Sequence, residues 1–154
     1  MYEFLYYQVA DAMTAEPVAI GLQTSLAEVE VLFQRHDFNG LPVIDNDRRL
    51  LGVMTKLDFL KAFAFTPQAL LPPYEEIMGQ PVERFMTGGP TTVSSPTPLT
   101  RVLQQMIETR YKSLPVVDDG RLVGMIARED VLRALRRAVA GEPAPTSPRS
   151  KQRG

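Results

Sequence analysis

Two acidic residues stand where a carboxylate could take up a ligand. They are Asp58, in Gly52-Val-Met-Thr-Lys-Leu-Asp58, and Asp130, in Gly124-Met-Ile-Ala-Arg-Glu-Asp130. Each follows a β-rich run and opens a helical pattern, so the acid falls in the first turn of a helix. A carboxylate there can accept both hydroxyls of a ribose ring, and hydrogen bonds to an ionised acceptor are the stronger kind. The helix N-terminus adds free N–H groups and a partial positive charge, which favour a phosphate. Thr55 and Asp58 have a second reading, an ordinary capping box worth about 1 kcal/mol that needs no ligand. The tetrad alone favours the cap; Gly52 and the repeat context favour a ligand site. Ala127 replaces the threonine in the second segment, so the Asp58 site ranks first and the Asp130 site second.

Other chemistries find no support in the chain. The single histidine, His36, lies beside Asp37 near a helix end, and no serine or cysteine nucleophile motif accompanies it. No His/Asp/Glu spacing suggests a metal site, and the glycines form no phosphate-binding loop. The chain therefore reads as a non-enzyme that requires no cofactor. Arg133, Arg136 and Arg137 lie on a helical pattern, but without interleaved aromatics and with a pI of 5.9 they do not suggest nucleic-acid binding.

The 154 residues are 44% hydrophobic and 23% charged, enough apolar content for a packed core. No cysteine is present, so disulfides and thiolate sites are excluded. No apolar run approaches a membrane span, and the first residues do not read as a signal peptide; a cytoplasmic location is expected. Residues 1–76 carry 5 basic and 11 acidic side chains (−6), and residues 77–154 carry 12 and 7 (+5). Such polarity could steer an anionic ligand or a partner subunit toward the second half, or simply reflect two differently solvated faces.

An internal repeat decides the architecture. Met13-Thr14 recurs as Met86-Thr87, and Leu41-Pro-Val-Ile-Asp45 as Leu114-Pro-Val-Val-Asp118, both 73 positions on. Gly52 to Asp58 recurs as Gly124 to Asp130, 72 positions on, which places one deletion in a hairpin turn. Each copy reads as a short extended piece (Val18 to Ile20; Thr91 to Val93), a helix, two strands around a tight turn, and a closing helix. Ser25 with Glu28 makes a capping box for the first helix, and Asn39-Gly40 marks its stop. In the second copy Thr97 is the expected N-cap and Pro98 the first helical residue. Asp119-Gly120 is a two-residue hairpin signal. The closing helices are expected over Lys56 to Phe65 and Arg128 to Val139. Glu3 to Met13 reads as one N-terminal helix, with Tyr6, Val9 and Met13 on one face. Residues 66–79 read as a linker with a short helix at Tyr74 to Met78, and the chain from Gly141 as a flexible tail. A copy of about 60 residues buries little core alone, so the two copies should pack as a pair.

This order of motifs resembles the cystathionine-beta-synthase-type (CBS) domain, and the tandem resembles the pair called a Bateman module. The resemblance implies an α+β fold of two β-α-β-β-α repeats packed as a pseudo-two-fold pair: residues 1–65 for the N-terminal helix and first domain, a linker 66–80, the second domain 81–140 and the tail 141–154. It also implies a homodimer and up to two clefts for AMP, ADP, ATP, S-adenosylmethionine or a related ligand. In one cleft it assigns Thr55 and Asp58 to ribose and phosphate, Pro90, Thr91 and Thr92 to the base, and Val53 to packing on the ring. In the other the counterparts are Asp130, Pro17, Val18 and Ala19, with Met125 packing. Asn39, Lys112 and Ser113 hold the phosphate-side positions, and Arg128 could add a contact.

The function expected from this is regulatory: an adenosyl ligand binds and changes conformation or oligomeric state, with the output passed to a separate effector protein. The competing expectation is a ligand-free dimerisation or interaction scaffold. Neither nucleic acid nor membrane is an expected partner.

Overall fold

The computed structural model describes residues 1–68 and 73–145. The basic residues Arg149, Lys151 and Arg153 of the expected tail, and residues 69–72 of the expected linker, lie outside the described residues. The elements in chain order are a 3-10 helix (Tyr2–Tyr6), α1 (Val9–Ala12), β1 (Thr14–Ala15), α2 (Leu26–Arg35), β2 (Gly40–Ile44), β3 (Leu50–Thr55), α3 (Lys56–Lys61), α4 (Tyr74–Met78), a 3-10 turn (Val82–Arg84), β4 (Thr87–Gly88), α5 (Leu99–Thr109), β5 (Ser113–Asp118), β6 (Arg121–Ala127) and α6 (Arg128–Val139).

The chain folds into two compact units that are offset from the sequence repeats. One is Val18–Pro90; the other joins Met1–Pro17 to the chain from Thr91 on. The offset has a simple cause. The short strand that opens each repeat pairs with the hairpin of the other: β4 lies on β3, and β1 lies on β6. Both three-stranded sheets are antiparallel, ordered β2-β3-β4 and β1-β6-β5. Each gains a parallel bridge from the extended piece, Ile20 to Val43 and Val93 to Val116.

The motif glycines make the edge pairing possible. A Cβ on Gly52 would lie 2.6 Å from the Thr87 carbonyl oxygen. A Cβ on Gly124 would lie 2.6 Å from Met13 Sδ and 2.9 Å from the Thr14 carbonyl oxygen. Any side chain at either position would push the edge strand away.

The unit Val18–Pro90 buries Ile20, Leu26, Val29, Leu41, Val43, Met54, Met78 and Val82. The alternation within β3 puts Met54 inward while Val53 and Thr55 face the other side. The other unit buries Leu99, Val102, Met106, Leu114, Val116, Ile126, Val131 and Ala134, together with Phe4, Tyr7 and Val9 from the chain start. The hairpins differ as the deletion implies. Asp119 and Gly120 take positive φ (51° and 79°), the two-residue type I′ pattern. The longer turn is held by Asp45, whose carboxylate accepts the N–H groups of Asp47 and Arg49 at 2.9 Å.

Several boundaries differ from expectation, each for an identifiable reason. The single N-terminal helix is broken at Gln8, which is extended because Val9 N–H donates to Thr97 O and Leu99 N–H to Tyr7 O, both at 2.9 Å. Phe4 and Tyr7 thereby turn inward, while Tyr6 is exposed rather than on the buried face. Helix α2 stops at His36, before Asn39-Gly40, since Gly40 already belongs to β2. At α5 the N-cap position is Pro98, and the Thr97 hydroxyl bonds Ser94 instead, at 2.8 Å. Helix α3 ends at Lys61 and leaves Phe65 exposed. Residues 141–145 are not free: Tyr7 Oη donates to the Glu142 carbonyl at 2.8 Å, Arg137 pairs with Glu142 at 2.9 Å, and Ala144 is buried. The expected helices α4 and α6 are present with the expected bounds.

The charge asymmetry is smaller between folded units than between sequence halves. Val18–Pro90 holds six basic and nine acidic residues (−3), and the described residues of the other unit eight and nine (−1). Glu3, Asp11 and Glu16 lie in the first half of the sequence yet join the unit built mainly from the second half.

Candidate functional site

Asp58 is 5% exposed, and its carboxylate is held entirely by neutral donors. Thr55 ends β3 in extended conformation, which turns its hydroxyl back to accept from the Asp58 N–H at 3.0 Å. Asp58 Oδ2 returns the bond by accepting the Thr55 N–H at 3.0 Å, completing the capping box. The third partner comes from the edge strand. Thr87, opposite Val53 in the β3–β4 register, donates its hydroxyl to Asp58 Oδ1 at 3.1 Å and Oδ2 at 3.2 Å. Among the described residues no cation pairs with this acid. A buried carboxylate is costly unless hydrogen-bonded, and these bonds keep it in place.

Asp130 is also buried, at 8% exposure, but its partners differ. Oδ2 accepts the Ala127 N–H at 2.8 Å, and Oδ1 pairs with Arg133 one turn along α6, at 3.2 Å. Ala127 supplies no hydroxyl, so this end of α6 has half a capping box. Thr14, which matches Thr87 in the repeat, makes no bond to Asp130 among the described residues.

The remaining expected residues fall as follows. Val53 is half-buried on β3, Asn39 is exposed just before β2, and Pro90 ends the same unit as Asp58. Thr91 and Thr92, expected beside them, are exposed and open the other unit. Pro17, Lys112, Ser113, Met125 and Arg128 belong to the unit of Asp130, whereas Val18 and Ala19 belong to that of Asp58. Ala19 lines an open depression of about 430 Å³ with Ile20, Gly21, Thr24, Glu28, Val31 and Leu32. Met125 lies between Thr14 and Pro115 in the sheet register. Arg128 is engaged by the backbone: its guanidinium donates to Tyr111 O at 3.2 Å and Arg110 O at 2.6 Å. It thus pins the turn after α5, where Arg110 has φ 61°. Lys112 is exposed, and its carbonyl accepts the Arg128 N–H at 3.1 Å.

Three residues that bond to the expected site residues were missed from sequence. Thr87 had a signal, the repeated Met-Thr pair, but nothing local says that its hydroxyl reaches Asp58, 29 residues earlier. Arg133 could have been found as the i+3 partner of Asp130. Tyr111, whose Oη lies 3.5 Å from Thr91 Oγ, carries no motif.

Comparison with known proteins accounts for the repeated geometry. The CBS domain family matches the chain twice, over residues 9–65 and 82–137. The chain belongs to the CBS domain family. A CBS domain-containing protein of Dictyostelium discoideum is 31% identical over 140 residues, covering 89% of this chain and 95% of that protein. The crystal structure of CBSX2 in complex with AMP is similar with a TM-score of 0.74 and 32% identity, covering 86% of this chain and 98% of that one; CBSX2 is a chloroplastic protein of Arabidopsis thaliana. A CBS domain pair in complex with 5′-methylthioadenosine and S-adenosyl-L-methionine aligns with a TM-score of 0.68 and 25% identity, covering 86% and 98%. Some relatives are enzymes matched over a small part of their length. The chain spans 22% of the L-aspartate semialdehyde sulfurtransferase of Methanocaldococcus jannaschii and 23% of the inosine-5′-monophosphate dehydrogenase of Aquifex aeolicus. The CBS pair is the segment this chain shares with them. No helix among the described residues is long and apolar enough to cross a membrane.

Proposed function

We propose that this CBS pair is a non-enzymatic regulatory module that binds an adenosine-containing ligand, with Asp58 accepting the ribose hydroxyls. The observation that carries the reading is the Asp58 carboxylate itself: buried, at a strand–helix junction and, among the described residues, without a cation and held only by neutral donors, of which a diol can replace the Thr87 hydroxyl. Similar CBS pairs crystallised with AMP and with methylthioadenosine and S-adenosylmethionine support the choice of ligand class. Such a ligand regulates by its differential affinity for two states of the chain, and a homodimer or a separate effector protein carries the output. Thr55, Val53 and Pro90 complete the proposed Asp58 site on its own unit. Asp130, already paired with Arg133 and lacking a threonine at Ala127, is the weaker site.

A second reading has its own observation. Both carboxylates already have capping partners, which a ligand-free interaction scaffold would equally need. A thermal-shift screen against AMP, ADP, ATP, S-adenosylmethionine, NADH and cyclic dinucleotides separates the two. A ligand at 100 times its Kd adds about 2.7 kcal/mol, which raises Tm by roughly 5–10 °C for a chain of this size. The sensor reading requires such a shift, lost in Asp58→Asn; no shift with any compound favours the scaffold.

A further inference from the structure

Of the two equivalent acids, only Asp58 has its carboxylate bridged by a hydroxyl among the described residues. Thr87 Oγ stands 3.1 Å from Oδ1 and 3.2 Å from Oδ2, so its one proton is shared across the fork of the carboxylate. The outer position on Oδ2 is already given to the Thr55 N–H at 3.0 Å. The fork is also where a vicinal diol docks, one hydroxyl to each oxygen. We propose that Thr87 is a built-in stand-in for the ribose diol: it satisfies the buried carboxylate in the empty site, turns away when a diol binds, and so sets both affinity and the choice between ribose and 2′-deoxyribose. This rests on the reading of Asp58 as the ribose acceptor.

The surroundings let the hydroxyl move without moving the strand. Thr87 is exposed, so rotation about χ1 to another staggered position delivers its hydroxyl to water. The backbone stays where it is, because β4 is paired to β3 at Gly52–Gly88 and Val53–Thr87 and sits close over Gly52. The device is particular to this site. On the other unit Thr14 makes no bond to Asp130 among the described residues, and Arg133 takes the Oδ1 position instead.

A full ribose must displace the Thr87 hydroxyl, whereas a 2′-deoxyribose needs one carboxylate oxygen and leaves the threonine on the other. Removing the hydroxyl should therefore strengthen ribonucleotide binding selectively. The test is isothermal titration of the whole chain with AMP and with 2′-deoxy-AMP, comparing wild type, Thr87→Val and Thr87→Ser. Thr87→Val should bind AMP about tenfold more tightly, equivalent to about 1.4 kcal/mol, the scale of one hydrogen bond to a charged group. Its affinity for 2′-deoxy-AMP should stay within about twofold, and Thr87→Ser should restore wild-type values for both. Unchanged or weaker AMP binding by Thr87→Val overturns the proposal, as does an equal gain for the two nucleotides. If that happens while Asp58→Asn still abolishes AMP binding, the ribose-acceptor reading survives and only the role of Thr87 falls. Failure of wild type and Thr87→Val alike to bind AMP, ATP or S-adenosylmethionine overturns both.

Discussion

Truncating each motif acid to alanine in the ligand-free protein should expose how differently the two repeats use the same residue. Asp58→Ala removes the acceptor of the Thr55 N–H and of the Thr87 hydroxyl, while the Asp58 N–H keeps its bond to Thr55 Oγ. Losing a cap bond costs about 1 kcal/mol, and losing the net contribution of the bond from the exposed Thr87 hydroxyl to an ionised acceptor adds about 1–2 kcal/mol. The expected loss is therefore roughly 2–3 kcal/mol, or about 5–10 °C in Tm for a chain of this length. Asp130→Ala removes one cap bond, from the Ala127 N–H, and an ion pair whose Arg133 side chain is 64% exposed. Solvent screening holds that pair to at most about 0.5 kcal/mol, so the total is roughly 1–1.5 kcal/mol, or about 2–5 °C. The assay is calorimetric unfolding after exhaustive dialysis, since residual ligand would stabilise wild type selectively. Equal losses for the two variants, or a larger one for Asp130→Ala, would refute the hydrogen-bond accounting. The expected loss also means that Asp58→Ala confounds stability with binding, which is why Asp58→Asn and Thr87→Val are the sharper ligand probes.

Gly52→Ala and Gly124→Ala should each destabilise by about 1–3 kcal/mol through overpacking against the edge strand, with hydrogen exchange showing faster exchange at Thr87–Gly88 or Thr14–Ala15 respectively; unchanged exchange there would contradict the close-approach explanation. Burial raises the Tyr7 hydroxyl above its ordinary value, with Glu142, Asp11 and Glu3 acting in the same direction and Arg137 against it. The neutral hydroxyl is the form that donates to Glu142 O, so its contribution is full below about pH 10 and is lost as pH rises from there through the raised folded value. Tyr7→Phe should accordingly lie below wild type in Tm at pH 8 and converge with it above pH 10, and a gap that stays constant with pH would refute this. In the ligand screen, a Tm rise of roughly 5–10 °C for one adenosyl compound, abolished by Asp58→Asn, is the expected outcome.

Much of this was legible because it is local. A 73-residue repeat, a Ser25 cap, an Asp119-Gly120 turn and apolar residues at helical and strand spacing each declare themselves within a few positions of chain. The Thr55–Asp58 box was legible for the same reason, being a contact between residues three apart. What failed from sequence failed where distant segments compete for the same backbone groups: Gln8 is extended because the 97–99 loop captures its neighbours, and Glu142 is held because Tyr7 reaches it across the fold.

The sequence by itself thus determined that two like units exist, which family they belong to, and which acid opens each closing helix. The pairing in space was not legible there: each sheet takes its edge strand from the segment that opens the other repeat, which brings Thr87 across the Asp58 carboxylate while Arg133 serves Asp130. The reason is physical: helix caps and turns are set by neighbours in the chain, whereas the partner of a strand edge is chosen by which glycine-backed edge is free to accept it.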